Sequence, residues 1–124
     1  MKNRASELEW QYGDRSLSWK GNSGQVTKAY SEPVQSACLL ARSDGVAVVE
    51  PYKEVGMRNA VIFNADGSER VRLQVPIEEA IVYAFDSMYY IQGRLTAILA
   101  TTRGDLAGVV DEETGALSEL RLSM

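Results

Sequence analysis

The chain has 124 residues, of which 45% are hydrophobic and 24% charged, with a formal net charge of −4 and a pI of about 4.8. This balance excludes a disordered chain, which would have few apolar residues, and argues against a nucleic-acid binder, which carries a basic footprint. Histidine is absent. The commonest general base and metal ligand are therefore missing, and so is every Ser-His or Cys-His nucleophile pair.

The sequence predicts one cytoplasmic domain over residues 1–124 that does not enter a membrane. The start, MKNRASELEW, lacks the apolar core of a secretory signal. No stretch approaches the ~18 apolar residues of a membrane span. The single cysteine, Cys38, cannot form an internal disulfide, and it lies in SACLLA, a predicted strand. We interpret it as a core thiol rather than a nucleophile.

The first half of the chain alternates strand-like runs with tight turns. LEWQYGDRSLSWK (8–20) predicts a hairpin around its Gly-Asp pair, and the GNSG that follows predicts a loop. ACLLARSDGVAVVEP (37–51) places Asp-Gly between two apolar runs, and a proline ends the second run. AVIF (60–63) and RVRLQV (70–75) form the next pair. Strict alternation in RVRLQV is typical of a half-buried strand.

The turn between that last pair, FNADGSE (63–69), is rich in side-chain oxygens and raises the question of calcium. An EF-hand loop needs an aspartate five residues before its central glycine and a glutamate six residues after it. Those positions hold Ile62 and Leu73. We therefore interpret the stretch as a hairpin turn and expect neither a metal nor a cofactor.

The second half repeats the pattern. We interpret IEEAIVYAF (77–85) as mostly strand, because its β-branched and aromatic residues outweigh its helix formers. YYIQGRLTAILA (89–100) predicts a hairpin that turns at Gln-Gly, and LAGVVDEETGALSELRL (106–122) one that turns through DEETG. The RGD at 103–105 is interpreted as the turn between these hairpins.

Turn glycines repeat at an offset of about 48 residues, since Gly45 and Gly67 are matched by Gly93 and Gly115. Each repeat holds two hairpins, which is the size of a β-propeller blade of about 40–50 residues. Chance spacing of turn glycines in a β protein is the alternative.

The predicted fold class is all-β, an antiparallel meander of hairpins with two four-stranded blade-like units, as a half β-propeller or a twisted open sheet. Residues 1–30 form an N-terminal hairpin and loop, 31–77 the first unit and 78–124 the second. Two units cannot close a propeller ring, so open edges remain that invite pairing with another chain.

Carboxylates and tyrosines are the candidate functional groups. Glu78-Glu79 and Glu112-Glu113 are adjacent pairs, and neighbouring strand residues point to opposite faces, so neither pair is expected to form a catalytic dyad. Tyrosines lie among acids in two groups, 50–54 and 83–90. Exposed tyrosines supply contact area in recognition surfaces; ordinary amphipathic sheet residues are the alternative.

The layout resembles some immunity proteins of bacterial contact-dependent inhibition and related polymorphic-toxin systems, some of which have half-propeller folds. The resemblance covers roughly residues 37–124, through ARSDGVAVVEP, VIFNADGSERVRLQVP and GVVDEETGALSELRL. It is a likeness of layout, so no functional residue of that family is carried over. It implies a cytoplasmic, non-catalytic protein that covers the active site or substrate groove of a cognate toxin.

Many such toxins are nucleases, so the expected partner has a basic surface on which carboxylates stand in for phosphates. Charge and surface aromatics select the predicted partner-binding residues. These are Glu50, Tyr52, Glu54, Glu78, Glu79, Asp86, Tyr89 and Tyr90. A structural or oligomeric β module, or a carboxylate-based hydrolase, is the alternative function.

Overall fold

The computed structural model describes residues 3–76 and 82–123, and it confirms the predicted all-β class. The described residues form eleven strands and one short helix. Their bounds are β1 (Ser6–Glu9), β2 (Ser16–Gly21), β3 (Gly24–Ala29), β4 (Ser36–Leu39), β5 (Gly45–Val49), α1 (Tyr52–Val55), β6 (Ala60–Asn64), β7 (Glu69–Arg72), β8 (Val82–Ile91), β9 (Arg94–Thr101), β10 (Gly104–Val110) and β11 (Leu117–Ser123).

The strands form three antiparallel sheets. The first sheet is β1-β2-β3, the middle sheet β4-β5-β6-β7 and the third sheet β8-β9-β10-β11. The middle and third sheets are the two four-stranded meanders that the glycine offset predicts. β3 lies where only a loop was expected. Its sequence, GQVTKA, is mostly polar and four of its six residues are exposed, so it lacks the apolar alternation that marks a strand.

The middle sheet is buried on both faces. Every residue of β5 is buried, because successive side chains point to opposite faces and both faces are covered. One face packs against Leu17 and Trp19 of the first sheet, and the other packs against Phe85, Leu95 and Leu99 of the third. The chain is therefore a stack of three sheets, with the most apolar one in the centre.

β7 departs from the expected half-buried pattern. Leu73, just after it, is fully buried and continues the pairing through its N–H, which donates to Ala60 O at 3.0 Å. The polar face is covered as well, since the side chains of Arg70 and Arg72 are only 11% and 24% exposed. Each guanidinium bonds to carboxylate and carbonyl oxygens, which makes this burial tolerable.

The free edge of β8 is held by side chains of the middle sheet. Phe85 N–H donates to Asn59 Oδ1, and Asn59 Nδ2 donates back to Phe85 O, both at 2.9 Å. Asn59 is fully buried. Ser36 Oγ accepts from Met88 N–H at 3.1 Å further along the strand. Asn59 thus takes the place of a neighbouring strand and joins the two sheets.

The predicted strand over residues 77–85 is confirmed where β8 begins at Val82; residues 77–81 lie outside the described part of the chain. β8 carries two bulges, one at 82–84 and one at 85–87. A bulge places two residues against one and so changes which side chains face outward.

The predicted turns lie where expected, and FNADGSE joins β6 to β7. Gly67 has φ 93, the left-handed conformation that favours glycine. Asp66 Oδ1 accepts bonds from Ser68 N–H at 2.9 Å and Ser68 Oγ at 2.6 Å. The Asp66 carboxylate therefore forms its hydrogen bonds within the turn. Throughout residues 3–76 and 82–123, no group of three or more acidic or cysteine side chains is placed to hold a metal ion.

Candidate functional site

Glu50 lies at the centre of an internal network. Its side chain is only 7% exposed. Tyr30 Oη donates to Oε2 at 2.5 Å, and Arg72 NH1 donates to Oε1 at 2.6 Å, so each oxygen has a partner within the chain. Its role in binding a partner stays a prediction, whereas its contacts give it a structural role.

The network shifts the proton affinities of its members. Burial, followed by the bond to Glu50, raises the pKa of the Tyr30 hydroxyl well above its ordinary value. Burial alone would lower the pKa of Arg72, but hydrogen bonds to Glu50 and Glu69 outweigh it and raise that pKa. The arrangement therefore keeps Tyr30 neutral and Arg72 charged.

Gln35 brings α1 and β8 together at the surface. Its Oε1 accepts from Tyr52 N–H at 2.9 Å, and its Nε2 donates to the carbonyls of Phe85 at 3.0 Å and Asp86 at 3.2 Å. One amide group therefore holds the start of α1 against the middle of β8. This places Tyr52 beside Asp86, two predicted residues that are 34 positions apart in sequence.

Glu54 is oriented by the segment that precedes β4. Its Oε1 accepts from the backbone N–H groups of Ser31 at 2.7 Å and Glu32 at 3.2 Å. Its other oxygen has no bond within the described part of the chain, and the residue is exposed. The carboxylate is thus fixed in direction and open to a partner.

Two tyrosines on β8 flank Asp86. Tyr83 is 56% exposed and Tyr89 is 46% exposed, and Asp86 between them is exposed as well. We call the set formed by Tyr52, Glu54, Tyr83, Asp86 and Tyr89 the tyrosine–carboxylate surface. Tyr83 was not among the predicted site residues. In a regular strand it would share the buried face of Phe85, two residues later, but the bulges interrupt this alternation and leave Tyr83 exposed.

Tyr90 is only partly buried: its ring packs against the core between the middle and third sheets, and its hydroxyl lies in a groove lined by Ala41 and Glu112. Its hydroxyl donates to Glu112 Oε2 at 2.7 Å and accepts from Ala41 N–H at 2.8 Å. Burial, opposed by the bond from Ala41 and aided by Glu112, raises the pKa of Tyr90 to about 12. Glu78 and Glu79, also predicted, lie outside the described residues.

We expect Tyr90 to make the stability of the protein sensitive to alkali. The folded pKa lies above the unfolded value of 10.0, so its contribution is complete below pH 10 and is lost as pH rises toward 12. Tyr90→Phe should give a shallower fall in the free energy of unfolding between pH 10 and 12. Urea unfolding followed by tryptophan fluorescence measures both slopes; identical slopes would rule out this role.

The structure contains no helix, within its two described ranges, that is long and apolar enough to cross a membrane.

Cys38 is partly buried in β4, and burial raises the pKa of its thiol to about 11. A thiol of raised pKa is a poor nucleophile.

No known family model matches this chain, and a search of curated proteins also found no match.

Proposed function

We propose that this chain is a non-catalytic binding protein that neutralises a protein toxin by covering its active site or substrate groove. The observation that supports the proposal is the tyrosine–carboxylate surface, where three exposed tyrosines lie among exposed carboxylates from two separate segments. Tyrosine is enriched in the energetically dominant part of protein interfaces. The partner chemistry that fits is a basic groove of the kind that binds phosphates.

The surface is rigidly supported, which favours recognition. Gln35 fixes α1 to β8, and Asn59 fixes β8 to the middle sheet. A preorganised surface loses little conformational entropy on binding, so more of the contact energy appears as affinity. The carboxylates at its rim accelerate encounter with a basic partner and make the association rate fall with salt.

The first test uses the product of the gene beside this one, if that gene encodes a large secreted protein with a separate C-terminal toxin domain. Tyr52→Ala should weaken binding by about 30-fold or more, since a central tyrosine is worth about 2 kcal/mol or more at an interface. Asp86→Asn should mainly slow association and flatten its salt dependence. Surface plasmon resonance at two salt concentrations measures both effects.

Tyr12→Ala is the matched control. Tyr12 is 91% exposed and lies in the turn that joins β1 to β2 of the first sheet, outside the proposed surface. Its loss should leave affinity unchanged. If Tyr12→Ala weakened binding while Tyr52→Ala did not, the interface would lie on the first sheet and the proposed surface would be wrong.

An oligomeric β module is the second candidate, favoured by the outer strand of the third sheet. β11 is an edge strand, and its Leu122 is 59% exposed opposite Leu106. Exposed apolar edges invite pairing between chains. Light scattering on the free protein separates the two functions, because a strict monomer contradicts the oligomeric module.

A further inference from the structure

An open cleft of about 790 Å³ lies where the N-terminal segment meets the turns of the middle sheet, and it shares no lining residue with the tyrosine–carboxylate surface. Its walls are formed by Asn3, Arg4, Arg42, Ser43, Asp44, Asn64 and Arg70. Three arginines therefore face one carboxylate, in a chain whose overall net charge is −4. Positive charge is concentrated here against the trend of the whole molecule.

Arg70 is the fixed charge of the cleft. Its Nε donates to Asn64 Oδ1 at 2.7 Å, and its NH2 donates to the carbonyl of Asp44 at 2.9 Å. The side chain is 11% exposed and reaches the third sheet, where NH1 lies 3.7 Å from Glu113 Oε1. With Asp44 and Glu113 both beside it, this guanidinium is fixed in place and shapes the cleft more than it adds free charge.

Arg4 and Arg42 are brought to the same cleft by backbone pairing. Ala5 N–H donates to Ser43 O at 2.7 Å, which holds the N-terminal segment beside the β4–β5 turn. Both arginines are exposed. Neither guanidinium makes a hydrogen bond or ion pair within residues 3–76 and 82–123. Two unpaired arginines are therefore adjacent to a third that is fixed in place.

Acidic groups near the cleft limit its charge but do not cancel it. Asp44 Oδ2 lies 3.5 Å from Arg70 NH2, and its Oδ1 is buried without a donor. Arg42 also borders a neighbouring groove that contains Asp111, Glu112 and Glu113. No ion pair joins Arg42 to them in the described residues, so its charge remains available.

We propose that this cleft binds the phosphate group of a phosphomonoester. The geometry combines several arginine forks, which match phosphate oxygens in a bidentate manner. A phosphomonoester near neutral pH carries about −1.5 to −2 charges, which the two unpaired arginines, Arg4 and Arg42, would balance, because Arg70 is already ion-paired with Asp44 and Glu113. The volume lies within the roughly 300–1,000 Å³ of small-molecule sites, which leaves room for the organic part of the ester.

The test is a titration of the full chain, labelled with nitrogen-15, with inorganic phosphate and with adenosine 5′-monophosphate. The amide signals of Ser43 and Asp44 and the side-chain Nε–H signals of the cleft arginines should shift and saturate with each ligand. Arg42→Gln should weaken both ligands about tenfold or more, as expected for loss of a charged hydrogen bond. Arg70 is left intact because it also supports the fold.

Arg15→Gln is the matched control, since Arg15 is an exposed arginine outside the cleft and its loss changes the net charge equally. Its affinities should match those of the wild type. Equal weakening by Arg15→Gln and Arg42→Gln would overturn the proposal in favour of diffuse charge attraction. Equal binding of adenosine without its phosphate would also overturn it, and so would the absence of saturation with either phosphate.

Discussion

Replacing Asn59 by alanine should lower the free energy of unfolding by about 3–4 kcal/mol. The substitution leaves the N–H of Phe85 and the carbonyl of Glu50 buried without their side-chain partner. Each buried polar group left unsatisfied costs about 1–3 kcal/mol. The carbonyl of Phe85 keeps one donor, Gln35, which limits the loss. Urea unfolding followed by tryptophan fluorescence measures the change.

Two further variants sharpen this test. Asn59→Asp keeps the size and the acceptor for Phe85 N–H but removes the donor and adds a buried charge, so it should be at least as damaging as alanine. Gln25→Ala, at an exposed position on β3, should change stability by less than about 0.5 kcal/mol. If Asn59→Ala cost less than about 1 kcal/mol, the amide would not be what joins the middle and third sheets.

Glu50→Ala should destabilise the protein by about 3 kcal/mol, because it leaves Arg72 partly buried without its closest counter-charge. Removing one partner of a buried ion pair typically costs about 3–5 kcal/mol. The 24% exposure of the Arg72 side chain and its second carboxylate, Glu69, place the expected loss at the lower end. Chemical unfolding at pH 7 measures it.

Glu54→Ala is the matched control for Glu50→Ala, since both remove a glutamate and the two positions lie four residues apart. Glu54 is exposed and its two hydrogen bonds from backbone N–H groups lie at the surface, where water can replace them, so its loss should cost about 1 kcal/mol or less. A double-mutant cycle with Arg72→Ala isolates the pair. A coupling energy near zero between Glu50 and Arg72 would contradict the role of this ion pair in stability, and Glu50 would then be available to bind a partner.

Most of the strands and turns were predictable because short sequence patterns determine them. Asp-Gly and Gln-Gly between apolar runs specify hairpin turns, and these signals located the joints of the middle and third sheets. The stacking order was not predictable in this way. An unbroken apolar run such as β5 shows that a strand is buried on both faces, but it does not identify the two sheets that cover it.

The candidate site was predictable only in part. Tyr52 and Asp86 are adjacent through Gln35, a contact between distant positions that no local pattern encodes. Tyr89 and Tyr90 are neighbours on a strand and so face opposite ways, but the bulges of β8 decide which one is outward. The burial of Glu50 did leave a signal, because that residue directly follows the apolar run GVAVV.

The two-sided burial of the middle sheet has a consequence for how the protein is made. The first sheet leaves the ribosome with Leu17 and Trp19 uncovered, and their partners on β5 and β6 are synthesised only after the first sheet is complete. The opposite face of the middle sheet then stays exposed until β8 and β9 have been synthesised. Since chains emerge N-terminus first, at about 5–20 residues per second, each nascent sheet spends seconds with an apolar face exposed. Translation speed and chaperone access should therefore affect the yield of folded protein.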